Sequence, residues 1–105
     1  MAVTQKTLFR GAATTTVTTT LYTVPTATST VVSNIVVTNT AASAGTYTLA
    51  LGTSGSTVNI FTTVSIPANS TTLIDLKQVL SAAQIITGGA SATTINFHIA
   101  GVEIA

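Results

Sequence analysis

Few side chains in this sequence can take part in acid–base, nucleophilic or metal chemistry. The single histidine is His98, the only carboxylates are Asp75 and Glu103, and cysteine is absent. A histidine that activates a hydroxyl group needs an orienting partner, and a glycosidase needs two carboxylates in one cleft. The absence of cysteine excludes thiol catalysis and cysteine-based metal sites, and zinc or calcium needs more ligands than these residues supply. We therefore expect no enzymatic activity, no cofactor and no bound metal.

A structural role accounts for His98 more simply than a catalytic one. The residues around it alternate between apolar and polar, and Phe97 and Ile99 point to the face opposite His98. This period of two is typical of a half-buried strand. We interpret His98 as a half-exposed strand residue or as a hydrogen-bonding residue in an interface.

Asp75 also has a simple structural interpretation. Leu76, Val79 and Leu80 are spaced at i, i+3 and i+4, which predicts a short helical turn near residues 76–83. An aspartate just before such a turn caps the helix N-terminus and interacts favourably with its dipole. We therefore expect Asp75 to be a capping residue.

Charge is unusually scarce in this chain. Charged residues make up 5% of it and the formal net charge is +1, whereas a typical soluble domain is about 25% charged. Binding to nucleic acid depends on many phosphate contacts, and binding to an anionic membrane surface depends on clustered basic residues. The composition therefore argues against both partners. The five charged residues are Lys6, Arg10, Asp75, Lys77 and Glu103.

The chain shows no targeting signal. Residues 1–6 lack the apolar stretch of a signal peptide, and no run approaches the ~18 apolar residues of a membrane span. We expect the protein to be made in a cytoplasm, even where a particle later carries it elsewhere.

The pattern of the whole chain predicts an all-β fold. Threonine, valine and isoleucine dominate, and these residues suit a pleated, half-buried surface. Turn signals at short intervals predict seven or eight antiparallel strands, and the stable arrangement for such strands is a small sandwich of two packed sheets. An Ig-like and a jelly-roll connectivity both remain open. We divide the chain into residues 1–13, an N-terminal arm or edge strand, and residues 14–105, a β-sandwich domain.

Residues 28–38 form the strongest predicted strand, and both of its faces are apolar. Val31 and Val37 alternate with Val32 and Val36. Such a strand is either central in its sheet or covered on its second side by something else. Because isolated domains usually carry charge on exposed sheets to prevent association, we expect this protein to form a homo-oligomer or to bind a partner.

The N-terminal arm contains a candidate docking group. Lys6 and Arg10 are two of the three basic residues, and they flank the apolar pair Leu8 and Phe9. An aromatic anchor beside an arginine suits an acidic, grooved partner surface, because arginine grips a carboxylate with two hydrogen bonds. The alternative is that the arm is an edge strand with Phe9 in the core.

Several short segments resemble a family of small bacteriophage virion proteins. They are Leu21-Tyr22-Thr23-Val24-Pro25, the strand end Ile35-Val36-Val37-Thr38-Asn39-Thr40, the turn at residues 66–70 followed by Leu73-Ile74-Asp75-Leu76, and the final segment at residues 96–103. The resemblance covers roughly residues 20–105.

The resemblance implies a function as well as a fold. It implies an oligomeric β-sandwich, with a trimer as the expected oligomer, on the outside of a capsid or along a tail, and hence in the virion. The expected role is a capsid decoration (cement) protein that binds the phage major capsid protein or another virion protein. The alternatives are a tail-fibre or head-fibre module that contacts a host surface, and a carbohydrate-binding module.

Overall fold

The structure is a computed structural model that describes residues 2–105, and it contains eight β-strands and no helix within that range. Residue 1 of the N-terminal arm lies outside the described residues. The strands are β1 (Val3–Ala12), β2 (Thr20–Thr23), β3 (Ser29–Asn39), β4 (Gly45–Thr53), β5 (Ser56–Ile66), β6 (Ser70–Leu80), β7 (Ile85–Ala90) and β8 (Ile95–Ile104).

The strands form two four-stranded antiparallel sheets. Sheet I has the order β1-β8-β3-β6, and sheet II has the order β2-β7-β4-β5. The chain therefore pairs β1 with β8, β2 with β7, β3 with β6 and β4 with β5, as one long hairpin does when it is folded over on itself. This connectivity is that of a jelly roll. The predicted all-β sandwich is confirmed, and the jelly roll replaces the choice between two connectivities.

The core lies between the two sheets and is almost entirely apolar. In β8 every second side chain points inward, so that Ile95, Phe97 and Ile99 are fully buried. The Tyr47 ring of sheet II packs against the Phe97 ring of sheet I, with 6.3 Å between the centroids. Such edge-to-face aromatic contacts add to the stabilisation that burial provides. Other fully buried side chains are Val24, Val32, Ile35, Val37, Leu49, Ile66 and Ile86.

The predicted helical turn near residues 76–83 is wrong, because β6 continues as a strand to Leu80. Val32 pairs with Gln78 and Asn34 pairs with Asp75, so the single residue between Val32 and Asn34 lies opposite two residues of β6. The bulge changes which residues of β3 point inward, but β6 alternates without interruption: Leu76 and Leu80 point towards the core and Val79 points away from it. The i, i+3, i+4 spacing therefore belongs to residues on both faces of an extended strand. With no helix to cap, the predicted capping role of Asp75 is also wrong.

The remaining differences are shifts in strand bounds. The threonine-rich residues 14–24 predict a strand, but residues 14–19 form a loop whose backbone lies against β7, where the Thr16 carbonyl oxygen is 2.6 Å from the position of a Cβ on Gly89. The segment Gly88-Gly89-Ala90-Ser91 predicts a turn, but residues 88–90 lie in β7. Glycine suits this part of β7 because neighbouring backbone approaches too closely for a side chain.

Candidate interaction surface

The face of sheet I that points away from the core, called the outer face below, is the candidate functional surface. Strand β3 is central in this sheet, between β8 and β6, as the two apolar faces of residues 28–38 predicted. An antiparallel sheet with one solvated face normally presents polar side chains there. The outer face carries polar and charged side chains, and it also presents apolar residues on all four strands.

The apolar residues of the outer face lie in rows that cross the sheet. Val31 pairs with Val102 on one side and with Val79 on the other, and Val3 pairs with Ile104 at the end of the sheet. Three side chains of this face are strongly exposed, Val3 at 62%, Leu73 at 77% and Val79 at 69%. Val79 adjoins the row of Val31 and Val102, and exposed apolar surface of this kind is typical of interaction sites.

Beside these apolar rows lies a shallow polar pocket of about 190 Å³. Its polar lining comes from Thr7 and Arg10 of β1, Asn34 of β3 and His98 of β8. Nη2 of Arg10 donates a hydrogen bond to Oγ1 of Thr7 at 3.5 Å, so the guanidinium group is directed along β1 towards Thr7. This pocket has the donors to receive a carboxylate.

All five charged residues of the chain lie in sheet I. Lys6 and Arg10 are in β1, Asp75 and Lys77 are in β6, and Glu103 is in β8. Sheet II has no charged residue in any of its strands. An interaction that depends on charge must therefore involve sheet I.

Lys6 and Glu103 form an ion pair at the rim of the core, away from the outer face. Nζ of Lys6 lies 3.3 Å from Oε2 of Glu103. The hydroxyl group of Tyr22, from β2 of sheet II, donates a hydrogen bond to the same carboxylate oxygen. The hydroxyl group of the buried Thr30 lies 2.9 Å from the Tyr22 oxygen, and it donates to that oxygen because the phenol has only one proton. Four residues from two sheets are thus joined.

This network shifts two pKa values in opposite directions. Burial, followed by the hydrogen bond to Glu103, raises the pKa of Tyr22 to about 12. The hydrogen bond from Tyr22, followed by the interactions with Lys6, lowers the pKa of Glu103 and outweighs the opposing effect of burial. Both shifts favour the pair in which tyrosine is neutral and glutamate is charged. The network stabilises the contact between the sheets.

The structure does not bring the four predicted docking residues together on one surface. Leu8 is buried in the core with 7% of its surface exposed, and Phe9 packs against the core from the edge. Lys6 points to the rim where it meets Glu103, whereas Arg10 points to the outer face. A bulge at Leu8, between Thr7 and Phe9, causes this division. The docking role of these residues stays a prediction.

The two carboxylates of residues 2–105 lie on different sides of sheet I. Asp75 is on the outer face, and Glu103 faces the rim of the core, so the two carboxylates share no cleft. No group of three His, Asp or Glu side chains that could hold a metal ion occurs among residues 2–105. Within the same range, no helix is long and apolar enough to cross a membrane.

The fold is similar to parts of much longer chains in two structures of a virus. No protein-family model and no curated protein sequence matches this chain. A chain in the crystal structure of the T13 IBDV viral particle matches with a TM-score of 0.58 and 13% identity. A chain in the structure of infectious bursal disease virus Gx strain matches with a TM-score of 0.54 and 15% identity. Each match covers 97% of this chain but only 30% of the viral chain. At this level of identity the similarity shows a shared fold.

Part of this surface was visible in the sequence and part was missed. The two apolar faces of β3 indicated the outer face. The network around Tyr22 was not predicted, although Glu103 falls in the same alternation as Ile95, Phe97 and Ile99. A carboxylate at an inward position of a strand needs a partner. That position was the available signal, but the sequence does not identify Tyr22 and Lys6 as the partners.

Proposed function

We propose that this chain is a non-enzymatic structural protein of a bacteriophage particle, and specifically a capsid decoration (cement) protein that binds and stabilises the capsid surface. The observation that supports the proposal most strongly is the fold. Almost the whole chain superposes on part of a chain from a virus particle, and the jelly roll is a common architecture of viral capsid domains. The bacteriophage origin rests on the sequence resemblance at residues 20–105.

The outer face of sheet I supports a role in assembly. A cement protein stabilises a capsid by burying surface against neighbouring subunits, and apolar surface supplies most of that stabilisation. Leu73, Val79 and Val3 are exposed on the outer face, and Arg10 and Asp75 provide charges that can fix the orientation of a partner. We infer that partners in the particle are further copies of this chain and a major capsid protein or another virion protein.

A tail-fibre or head-fibre module is the second candidate, because jelly rolls also occur in lectin domains that recognise external ligands. The aromatic residues do not favour a free-standing carbohydrate-binding module. Tyr22, Tyr47 and Phe97 are buried, and Phe9 and Phe61 are partly buried against the core. Sugar-binding surfaces usually stack the ring of an exposed aromatic residue on the sugar.

The test is to locate the protein in particles of the virus whose genome encodes it. Antibodies raised against the purified chain should label the particle, and mass spectrometry should detect many copies in each one. Label over the head supports the cement role, whereas label confined to the tail or to projecting fibres supports the second candidate. Absence of the chain from purified particles contradicts both.

A second experiment measures the stabilisation itself. Particles that lack the chain should lose their contents at a lower temperature than complete particles, and addition of purified protein should restore the difference. Thr62→Asp, at an exposed position of sheet II, serves as a control that should bind as the unaltered protein does. Equal thermal stability of particles with and without the chain contradicts the cement role.

A further inference from the structure

The outer face of sheet I carries the guanidinium group of Arg10 at one edge and, at the other edge, the carboxylate of Asp75 beside the ammonium group of Lys77. Arg10 is exposed on the edge strand β1, and Asp75 is exposed on the opposite edge strand β6. Neighbouring strands are about 4.8 Å apart, so the two edges are separated by roughly 14 Å. The two side chains therefore do not meet within one molecule. The one ion pair among residues 2–105 is that of Lys6 with Glu103.

The rows of the outer face place these charges at the same height along the strands. Thr7 pairs with Ala100, Ala100 with Asn34, and Asn34 with Asp75, so Thr7 and Asp75 mark the two ends of one row. The guanidinium group of Arg10 lies at the Thr7 end of this row, because its Nη2 donates to Oγ1 of Thr7. The row thus has a cation at one end and a carboxylate at the other.

We propose that two copies of this chain pack through their outer faces about a two-fold axis that runs parallel to the strands between the two sheets. Rotation about this axis exchanges the two edges and keeps the height along the strands. It places β1 of one copy over β6 of the other, and so places each Arg10 guanidinium group opposite the Asp75 carboxylate of the partner copy. Asn34 and His98 line the same pocket and offer further donors to that carboxylate.

The same rotation matches the apolar rows. It places β3 of one copy over β8 of the other, so Val31 of each copy faces Val102 of its partner. The stem of Arg10 similarly lies over Leu73, the most exposed of the large apolar residues. Sheets stack face to face about 10 Å apart with their strands within about 30° of each other. An arginine side chain is long enough to cross that gap.

A second copy is the occupant that the charge pattern selects. The arrangement is self-complementary, since the face supplies both members of the ion pair, and self-complementarity is the requirement of a two-fold interface. Four strands of about ten residues cover on the order of 600 Å² per copy, somewhat less than the about 800 Å² per partner of a standard interface. We therefore expect association that depends on protein concentration. A trimer, which the resemblance implies, requires a different contact surface.

Exchange of the two charges tests the pairing on the purified protein. Arg10→Asp places two like-charge contacts in the interface, and so does Asp75→Arg. Each variant should sediment as a monomer at concentrations where the unaltered protein is a dimer. An equimolar mixture of the two variants should form dimers again, because one copy then carries two carboxylates and the other two guanidinium groups. The double variant Arg10→Asp/Asp75→Arg should also dimerise.

The controls show whether a change in association comes from the interface itself, from loss of the fold or from the altered net charge. Both residues are exposed, so the melting temperature of each variant at low concentration should stay within a few degrees of the unaltered protein. Thr62→Asp and Thr62→Arg change the charge on sheet II and should leave the dimer intact. A monomer at all concentrations, a trimer, or a dimer that neither charge reversal weakens overturns the proposal. The proposal is also overturned if the equimolar mixture of the two charge-reversal variants does not form dimers.

This experiment is independent of the proposed function. It uses the isolated protein, so its failure leaves the location in a virus particle unaffected. Conversely, absence of the chain from virus particles leaves the two-fold contact intact.

Discussion

The hydroxyl group of Tyr22 in sheet II donates a hydrogen bond to the carboxylate of Glu103 in sheet I. The carboxylate also pairs with Lys6, and the phenol oxygen accepts a hydrogen bond from Thr30, which is fully buried. Hydrogen bonds with charged partners contribute more to stability than neutral ones, and a buried group that loses its partner is costly. This polar network is therefore a specific point of attachment between the two sheets.

Tyr22→Phe should lower the free energy of unfolding by about 2 kcal/mol, because it removes a hydrogen bond to a charged group and leaves the Thr30 hydroxyl without its acceptor. Chemical denaturation measures the change. Tyr47→Phe is the matched control, since the Tyr47 hydroxyl has no side-chain hydrogen-bond partner among residues 2–105 and its removal should change stability by less than about 0.5 kcal/mol. Equal effects of the two substitutions would contradict the role of the network.

The lowered pKa of Glu103 predicts a loss of stability in acid. A carboxylate whose pKa is lower in the folded than in the unfolded state stabilises the fold above its unfolded pKa. That contribution is lost as the pH falls through the folded pKa. The ordinary value is 4.5, so the loss should begin near that pH and continue below it. Glu103→Gln should be less stable than the unaltered protein at pH 7, and the difference should shrink as the pH falls. A difference that does not vary with pH contradicts the prediction.

The raised pKa of Tyr22 predicts a loss of stability at alkaline pH. The pKa of Tyr22 is raised from 10.0 to about 12 in the folded protein, so between these values the unfolded state loses its proton first. Stability should therefore fall as the pH rises from 10 to 12. Tyr22→Phe should remove part of this fall. A pH titration of the unfolding free energy for both proteins measures it.

The sequence predicted the class of fold well because alternation is a local signal. The strand at residues 28–38 was visible as a β-branched run, and the predicted total of seven or eight strands agrees with the eight observed. The helical turn after Asp75 was predicted wrongly because an i, i+3, i+4 spacing does not show that Leu76 and Leu80 lie on one face of a strand and Val79 on the other. That arrangement depends on the pairing of β6 with β3. The outer face was predicted only as the second apolar side of residues 28–38, without the other strands that contribute to it. Its rows result from the alignment of strands that are distant in sequence. For the same reason the sequence could not show that Arg10 and Asp75 lie at the two ends of one row.

Two glycines of sheet I differ sharply in the space around them, and this difference gives a matched pair of substitutions. A Cβ at position 101 would overlap the backbone oxygen of Val31 and lie 2.9 Å from Cδ1 of Leu8, whereas at position 11 the nearest atom is Cζ of Phe9 at 3.5 Å. Gly101→Ala should lower the unfolding free energy by about 2 kcal/mol or more, because backbone must move. Gly11→Ala should be neutral or stabilising by up to about 1 kcal/mol, because it restricts the unfolded chain.

The N-terminal arm separates into a residue that holds the fold and a residue available to a partner. Leu8 is buried and its side chain packs against the core, so Leu8→Ala should lower the unfolding free energy by about 2–4 kcal/mol through lost burial and a cavity. Arg10 is exposed and its hydrogen bond with Thr7 is long, so Arg10→Gln should change stability by less than about 0.5 kcal/mol.

Deletion of residues 2–11 should destabilise the domain, since it removes an edge strand as well as Leu8. Binding assays with Arg10→Gln test docking without that complication, and they should show weaker self-association at unchanged melting temperature. If Leu8→Ala leaves stability unchanged, β1 is not part of the core and the placement of the arm is wrong.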